Sequence, residues 1–149
     1  MKTNPFANSI LVATALLLLT VSCKKDPPQS RKEILTTGKW RTVAQTVSPA
    51  IDWDGDGDLD SDLHVITEAC IKDDYAIFRA DGSVEENEGP SKCDAADPQS
   101  EILSWSLKNN DMILVVDGQD FTIEQMSETT MKLKIQEFGV TVSATLQKF

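Results

Sequence analysis

The sequence has a single histidine, only three cysteines, and fewer basic than acidic side chains, 14 Lys and Arg against 24 Asp and Glu. His64 stands alone beside an acidic stretch, a setting in which an imidazole is more often a surface group than a catalytic base. No serine lies in a Gly-x-Ser-x-Gly elbow, and Gly38-Lys39 runs into Trp40 rather than into a phosphate-binding loop. Carboxylates are plentiful, but no one pair is singled out for glycosidase-type acid and base work. The expectation is a protein that is not an enzyme, with a hydrolase hidden among the acids as the remote alternative. A net charge of −10 repels phosphate backbones and disfavours nucleic acid as a partner.

Long apolar runs are missing too. The longest, residues 10–21, covers 12 positions, whereas a spanning helix needs roughly 20. It follows Met1-Lys2-Thr3 and ends at small Ser22, the order of a secretory leader. Thr20-Val21-Ser22-Cys23 resembles the lipobox of a bacterial lipoprotein, with Thr20 in place of the usual leucine. That resemblance implies cleavage after residue 22 and acylation of Cys23, which holds a protein on a bilayer without a spanning helix. Lys24 and Lys25 stand where an aspartate would signal inner-membrane retention. The expected location is therefore the bacterial outer membrane, facing the periplasm or the outside. Residues 23–30, with Asp26-Pro27-Pro28-Gln29-Ser30, read as a short tether stiffened by proline. The remaining residues, 31–149, suffice for one core.

From residue 31 the hydrophobic period is two rather than 3.6. Met131, Leu133 and Ile135 alternate with Lys132, Lys134 and Gln136; Val140, Val142, Ala144 and Leu146 alternate with Thr141, Ser143, Thr145 and Gln147. Such alternation marks half-buried antiparallel strands. Further strands are expected at 39–48, 75–79, 83–88, 102–108, 112–117 and 119–126, separated by Asp81-Gly82, Asn109-Asn110, Gly118 and Glu128-Thr129. Eight strands joined in order predict an all-β, up-and-down antiparallel barrel, which leaves no exposed edge. One short helix is expected within 61–70, where Leu63, Ile66 and Cys70 have helical spacing. A β-sandwich of the same strands is the rival architecture.

Gly38-Lys39-Trp40 at the start of the first strand resembles the lipocalin Gly-x-Trp signature. Phe78-Arg79-Ala80-Asp81-Gly82, taken with Trp105-Ser106-Leu107, is similar to the small lipocalin-like lipoproteins of Gram-negative bacteria. The likeness covers most of residues 34–149 and implies a lipocalin-like barrel in which Trp40 closes one end. Leu103 replaces a common glycine, and Lys148 stands where a lipocalin-type arginine packs on that tryptophan.

A two-residue turn at Asp81-Gly82 sets Ala80 opposite Ser83, and the same register carried outward sets Cys70 opposite Cys93. An oxidising compartment permits that disulfide. With Cys23 acylated, no thiol remains for catalysis or metal. The densest chemical motif is 52–62, with Asp52, Asp54, Asp56, Asp58, Asp60 and Asp62 at alternate positions and Gly57 after the third. Oxygen donors at this spacing with a glycine for the sharp turn resemble a calcium loop. The expected ligands are Asp52, Asp54, Asp56, Asp58 through its carbonyl, and Asp60. Leu63 occupies the place of an EF-hand's last glutamate, so the likeness is to shorter aspartate-rich loops, and a solvated acidic loop is the alternative.

Two functions follow. In the first, the lumen takes up a small apolar or amphipathic molecule. In the second, the core is solid and a calcium-ordered loop serves an accessory or adhesion role. Eight strands allow either outcome. The bulk of Met131, Leu133, Ile135, Val140, Val142 and Leu146 argues for filling, whereas Ala144, Thr42 and Thr46 argue for room. A cavity of roughly 300 Å³ or more decides for the ligand.

Overall fold

The chain described by the computed structural model comprises residues 28–149; the expected leader at 1–22, Cys23 and the stretch up to 27 lie outside the described residues. Ser30 starts the fold. Its hydroxyl accepts from the Glu33 N–H while the Glu33 carboxylate accepts from the Ser30 N–H at 2.7 Å, a reciprocal capping box that starts α1 (Arg31–Leu35).

β1 (Trp40–Ile51) follows, then β2 (Asp60–Asp62), α2 (Leu63–Ile66) and α3 (Ala69–Lys72). The single helix expected within 61–70 is thus two separate turns, and α1 adds a third. Thr67 causes the break: its backbone is extended, and its N–H and hydroxyl both donate to the Leu63 carbonyl, at 3.0 and 2.7 Å. A side chain that bonds back in this way competes with helix propagation. Glu68 then begins a new helix.

Seven strands complete the chain: β3 (Tyr75–Phe78), β4 (Ser83–Asn87), β5 (Ser100–Lys108), β6 (Ile113–Val116), β7 (Gln119–Met126), β8 (Thr130–Glu137) and β9 (Val140–Lys148). Each pairs antiparallel with the next, and β9 returns to β1 over Trp40↔Lys148 to Ser48↔Thr141. That last ladder closes the sheet on itself and excludes the sandwich. β1 shares its other side, meeting β3 at Trp40↔Ala76 and β2 at Thr46↔Asp62 and Ile51↔Asp60. Eight strands therefore form the barrel, and β2 is a ninth that extends β1 beyond it.

The hairpin register differs from the expected one by a single residue. Arg79 faces Ser83 and the ladder continues Phe78↔Val84 to Tyr75↔Asn87. The loop is three residues, 80–82: the Gly82 N–H bonds to the Arg79 carbonyl at 3.1 Å and Gly82 takes φ +90°. This is a type I turn closed by a left-handed residue, a three-residue hairpin rather than a two-residue one. Cys70 and Cys93 are nonetheless bonded, with Cα atoms 5.3 Å apart. Cys70 lies on α3 and Cys93 in the β4–β5 loop, so the disulfide joins a helix to a loop rather than two facing strand positions.

The two tryptophans of the family-like motifs have defined roles. Trp105 is buried; its indole N–H donates to the Arg79 carbonyl at 2.9 Å, its backbone N–H to the Gly82 carbonyl at 2.8 Å, and its ring meets Phe78 edge-on at 5.4 Å. It thereby fixes the β3–β4 turn. Trp40, 1 % exposed, donates its indole N–H to the Leu35 carbonyl at 3.0 Å, and Lys148 lies over its ring with Nζ 4.8 Å from the centroid. Gly38 permits this crossing, because it takes φ +79° and a Cβ there would stand 2.9 Å from Lys148 Cγ. Ile34 and Leu35 of α1 pack with Trp40, Phe78, Val84, Trp105, Leu114, Ile123, Met131 and Leu133 in one cluster. α1 consequently caps the Trp40 end of the barrel and extends its core.

Candidate ligand-binding lumen

Beyond that cluster the barrel is not filled. A cavity of about 290 Å³ is walled by Phe78, Leu114, Val116, Phe121, Leu133 and Leu146 among others. Alternation explains the lining. Ile135 faces Val142 and Leu133 faces Ala144 across β8 and β9, while Ile113–Val116 supplies Leu114 and Val116 from β6. The side chains of one strand face point into a closed barrel. The volume lies just below the roughly 300 Å³ at which small-molecule sites begin, and the space opens directly beside the core cluster, three of whose members, Phe78, Leu114 and Leu133, form part of its wall.

Thr42 and Ala144 line this space as the alternation predicts; Thr46 does not. A register shift between Thr42 and Ala44 inserts one extra residue on β1, and a bulge reverses which side chains face inward. After it Gln45 lines the cavity, Val47 is 3 % exposed, and Thr46 faces outward.

One arc of the lumen is acidic. Val84 sits at the buried floor of β4, and Glu86, two residues on, reaches into the cavity from the same strand face. Glu86 also borders an adjoining space of about 250 Å³ with Trp40, Thr42, Asp74, Ala76, Glu88 and Leu146. Its cross-strand neighbours are Ala76 and Glu101. The cavity walls raise the Glu86 pKa by desolvation, and Glu101 and Asp117 push in the same direction. Asp74 is pushed up to about 6, first by burial and then by Glu88, Asp73 and Glu86. Its Oδ1 is buried without a hydrogen-bond partner. The periodicity reading passed over Glu86, although Val84-x-Glu86 places it on the inward face of β4.

The aspartate loop lies at the far end of β1. Asp52, Asp54 and Asp60 bring carboxylate oxygens within 4.8 Å of one another, and Asp56 and Asp58 are not part of that group. The loop is shaped by its own acids: Asp52 accepts from the Gly55 N–H, Asp54 from Asp56, Asp56 from Asp58, and Asp60 from Trp53, at 2.8 to 3.2 Å. Asp62 instead caps α2 by accepting from the His64 and Val65 N–H groups. His64 belongs to that short helix.

A closed antiparallel barrel with one plugged end and an apolar lumen defines the class. A family model for the lipocalin-like domain matches residues 36–133, and the chain belongs to that family. No curated protein and no solved structure matches it.

The raised carboxyl of Asp74 has a measurable consequence. Because its folded pKa of about 6 exceeds the ordinary 3.8, the native state holds a proton that the unfolded chain has lost between those values. Stability contributed by this group is present at acid pH and falls as pH rises through that window. Asp74→Asn is expected to raise the urea midpoint at about pH 7.5 and to leave it nearly unchanged at about pH 4. Equal midpoint shifts at both pH values would show that Asp74 is not held protonated.

Proposed function

We propose that this protein is a non-catalytic binding module whose lumen takes up a small apolar or amphipathic molecule. The observation that carries this reading is the cavity of about 290 Å³ behind the plugged end of the barrel. Lipocalin-like barrels are compatible with small hydrophobic ligands and are generally non-catalytic, which agrees with the absence of a recognisable nucleophile or phosphate-loop motif in the sequence. The reading includes an outer-membrane location through acylated Cys23, resting on the Thr20-Val21-Ser22-Cys23 box and on Lys24 and Lys25.

A second reading concerns the loop: calcium bound by Asp52, Asp54 and Asp60 orders the β1–β2 ribbon. It is favoured by the convergence of those three carboxylates, which repel one another without a cation. Asp56 and the Asp58 carbonyl, part of the same sequence motif, complete the ligand set only if the loop closes on the ion.

Three outcomes are expected. Ala144→Phe, which fills the lumen opposite Gln45 and Leu133, lowers the affinity for an apolar fluorescent probe by about tenfold or more while the fold still melts cooperatively; equal probe binding by both proteins places the probe elsewhere. Calcium added at about millimolar concentration, the range of extracellular loops, changes Trp53 fluorescence and gives calorimetric heat that Asp60→Asn weakens. No heat and no thermal shift leave a solvated loop. Cys23→Ala releases the protein from membranes into the soluble fraction, and a variant that still sediments with the outer membrane is anchored in another way.

A further inference from the structure

We propose that the lumen selects amphipathic cations, holding a protonated amine against Glu86 and Asp74 while the apolar body lies among Leu114, Val116, Phe121 and Leu133. The inference rests on the reading of the cavity as a ligand site and names the chemistry of its occupant. Its basis is the distribution of charge around a space that is otherwise apolar. Glu86 is shared by the main cavity and the adjoining space, and so joins the aliphatic wall to Asp74 and Glu88. The residue opposite it on β3 is Ala76, whose small side chain leaves room beside the carboxylate on that side.

These acids have no cation of their own. Among the described residues, the ion pairs use Glu85 with Arg79, Asp120 with Lys108 and Glu124 with Lys134, and none uses Asp74, Glu86, Glu88 or Glu101. Lys134 is the one basic residue lining the main cavity, and its ammonium is directed to Glu124 at 3.5 Å. Lys39 and Arg41 lie over Tyr75 and Phe149 beside a different surface hollow. Glu86 and Glu101 face each other directly on neighbouring strands, a like-charge pairing that costs stability. An ammonium ion between such groups gains charge-assisted hydrogen bonds and relieves the repulsion. A carboxylate ligand adds to the repulsion instead, and this opposition is what makes the site selective rather than merely greasy. Burial is the first cause of the raised pKa of Asp74 and of Glu86, and neighbouring carboxylates add to it: Glu88, Asp73 and Glu86 at Asp74, Glu101 and Asp117 at Glu86.

Size narrows the class. At about 30 Å³ for each water-sized group, a cavity of this volume holds roughly ten such groups, which suits an eight-carbon amine. The test uses the full chain carrying Cys23→Ala and calorimetric titration with octylamine, octanol and octanoate at about 0.15 M salt, where exposed charges more than about 8 Å away are screened. Octylamine is expected to bind about tenfold or more tightly than octanol and more tightly still than octanoate. Glu86→Gln, which keeps the shape and removes the charge, abolishes the preference, whereas Asp97→Asn at an exposed loop position keeps it. Octanol or octanoate binding as tightly as the amine, or an amine preference that survives Glu86→Gln, overturns the proposal and leaves the apolar cavity standing. If none of the three binds, the cavity is not a ligand site and both readings fall.

Discussion

Closure of this barrel depends on the contact between Trp40 and Lys148, the first residue of β1 and the last of β9, which face each other across the closing ladder. An indole and an ammonium in that position bring three parts of the chain together. The indole N–H satisfies the Leu35 carbonyl, and the ammonium donates to the Ile34 carbonyl at 2.8 Å and to Thr37 Oγ1 at 2.9 Å. The Ile34 and Leu35 carbonyls lie at the end of α1, where helix carbonyls have no partner within the helix and a cation is favourable. The lysine therefore does what the arginine of the resemblance would do: it covers the tryptophan ring and ties the plug to the barrel wall. Burial lowers its pKa, with Glu128 acting in the opposite direction.

Plugging one end fixes what the other end can be. Ile34, Leu35, Trp40, Trp105 and Met131 gather in the core cluster, and the inward faces of β6 to β9 leave a hollow beside it, walled by Leu114, Val116, Phe121, Leu133 and Leu146. The bulge on β1 refines that hollow, because it turns Val47 inward and Thr46 outward. A solid core and a cavity are thus successive layers of one barrel, and the bulky residues of β8 contribute to both: Met131 is fully buried in the core while Ile135 lines the open half.

Strand positions were legible in the sequence because alternation is imposed by burial on one face, and seven of the eight barrel strands fall within two residues of their expected limits at both ends. β1 extends further, since β2 prolongs its pairing. What the pattern could not carry was set by single side chains and by turn geometry. The hairpin register turned on whether Gly82 is the second residue of a two-residue turn or the left-handed close of a three-residue one, and both use the same Asp-Gly pair. The helix at 61–70 broke because the Thr67 hydroxyl bonds backward, an event that helical spacing alone does not reveal. α1 was not among the expected elements, because strand periodicity does not register a one-turn helix held by the Ser30–Glu33 capping box. The alternate spacing of the aspartates was legible in the sequence, whereas the convergence of Asp52, Asp54 and Asp60 without Asp56 and Asp58, equally favoured by that spacing, was not. The acidic arc of the lumen was the signal most easily missed, since a carboxylate in an alternating strand reads as solvent-facing until the register assigns it inward.

The topology also bears on how the two proposed functions relate. β1 pairs with β9 up to Ser48 and continues to Ile51, where it pairs with β2, so the aspartate loop stands on a ribbon that extends past the barrel wall. Asp52 is the next residue beyond β1, and Asp60 is the first of β2. An ion joining these two positions would hold the ribbon's strands together where hydrogen bonding ends, without touching any residue that lines the lumen. The loop therefore does not require a solid core in order to have a purpose, and the cavity does not require calcium in order to exist. Their physical connection is β1 itself, whose early residues close the barrel and line its cavity and whose last residues carry the acids.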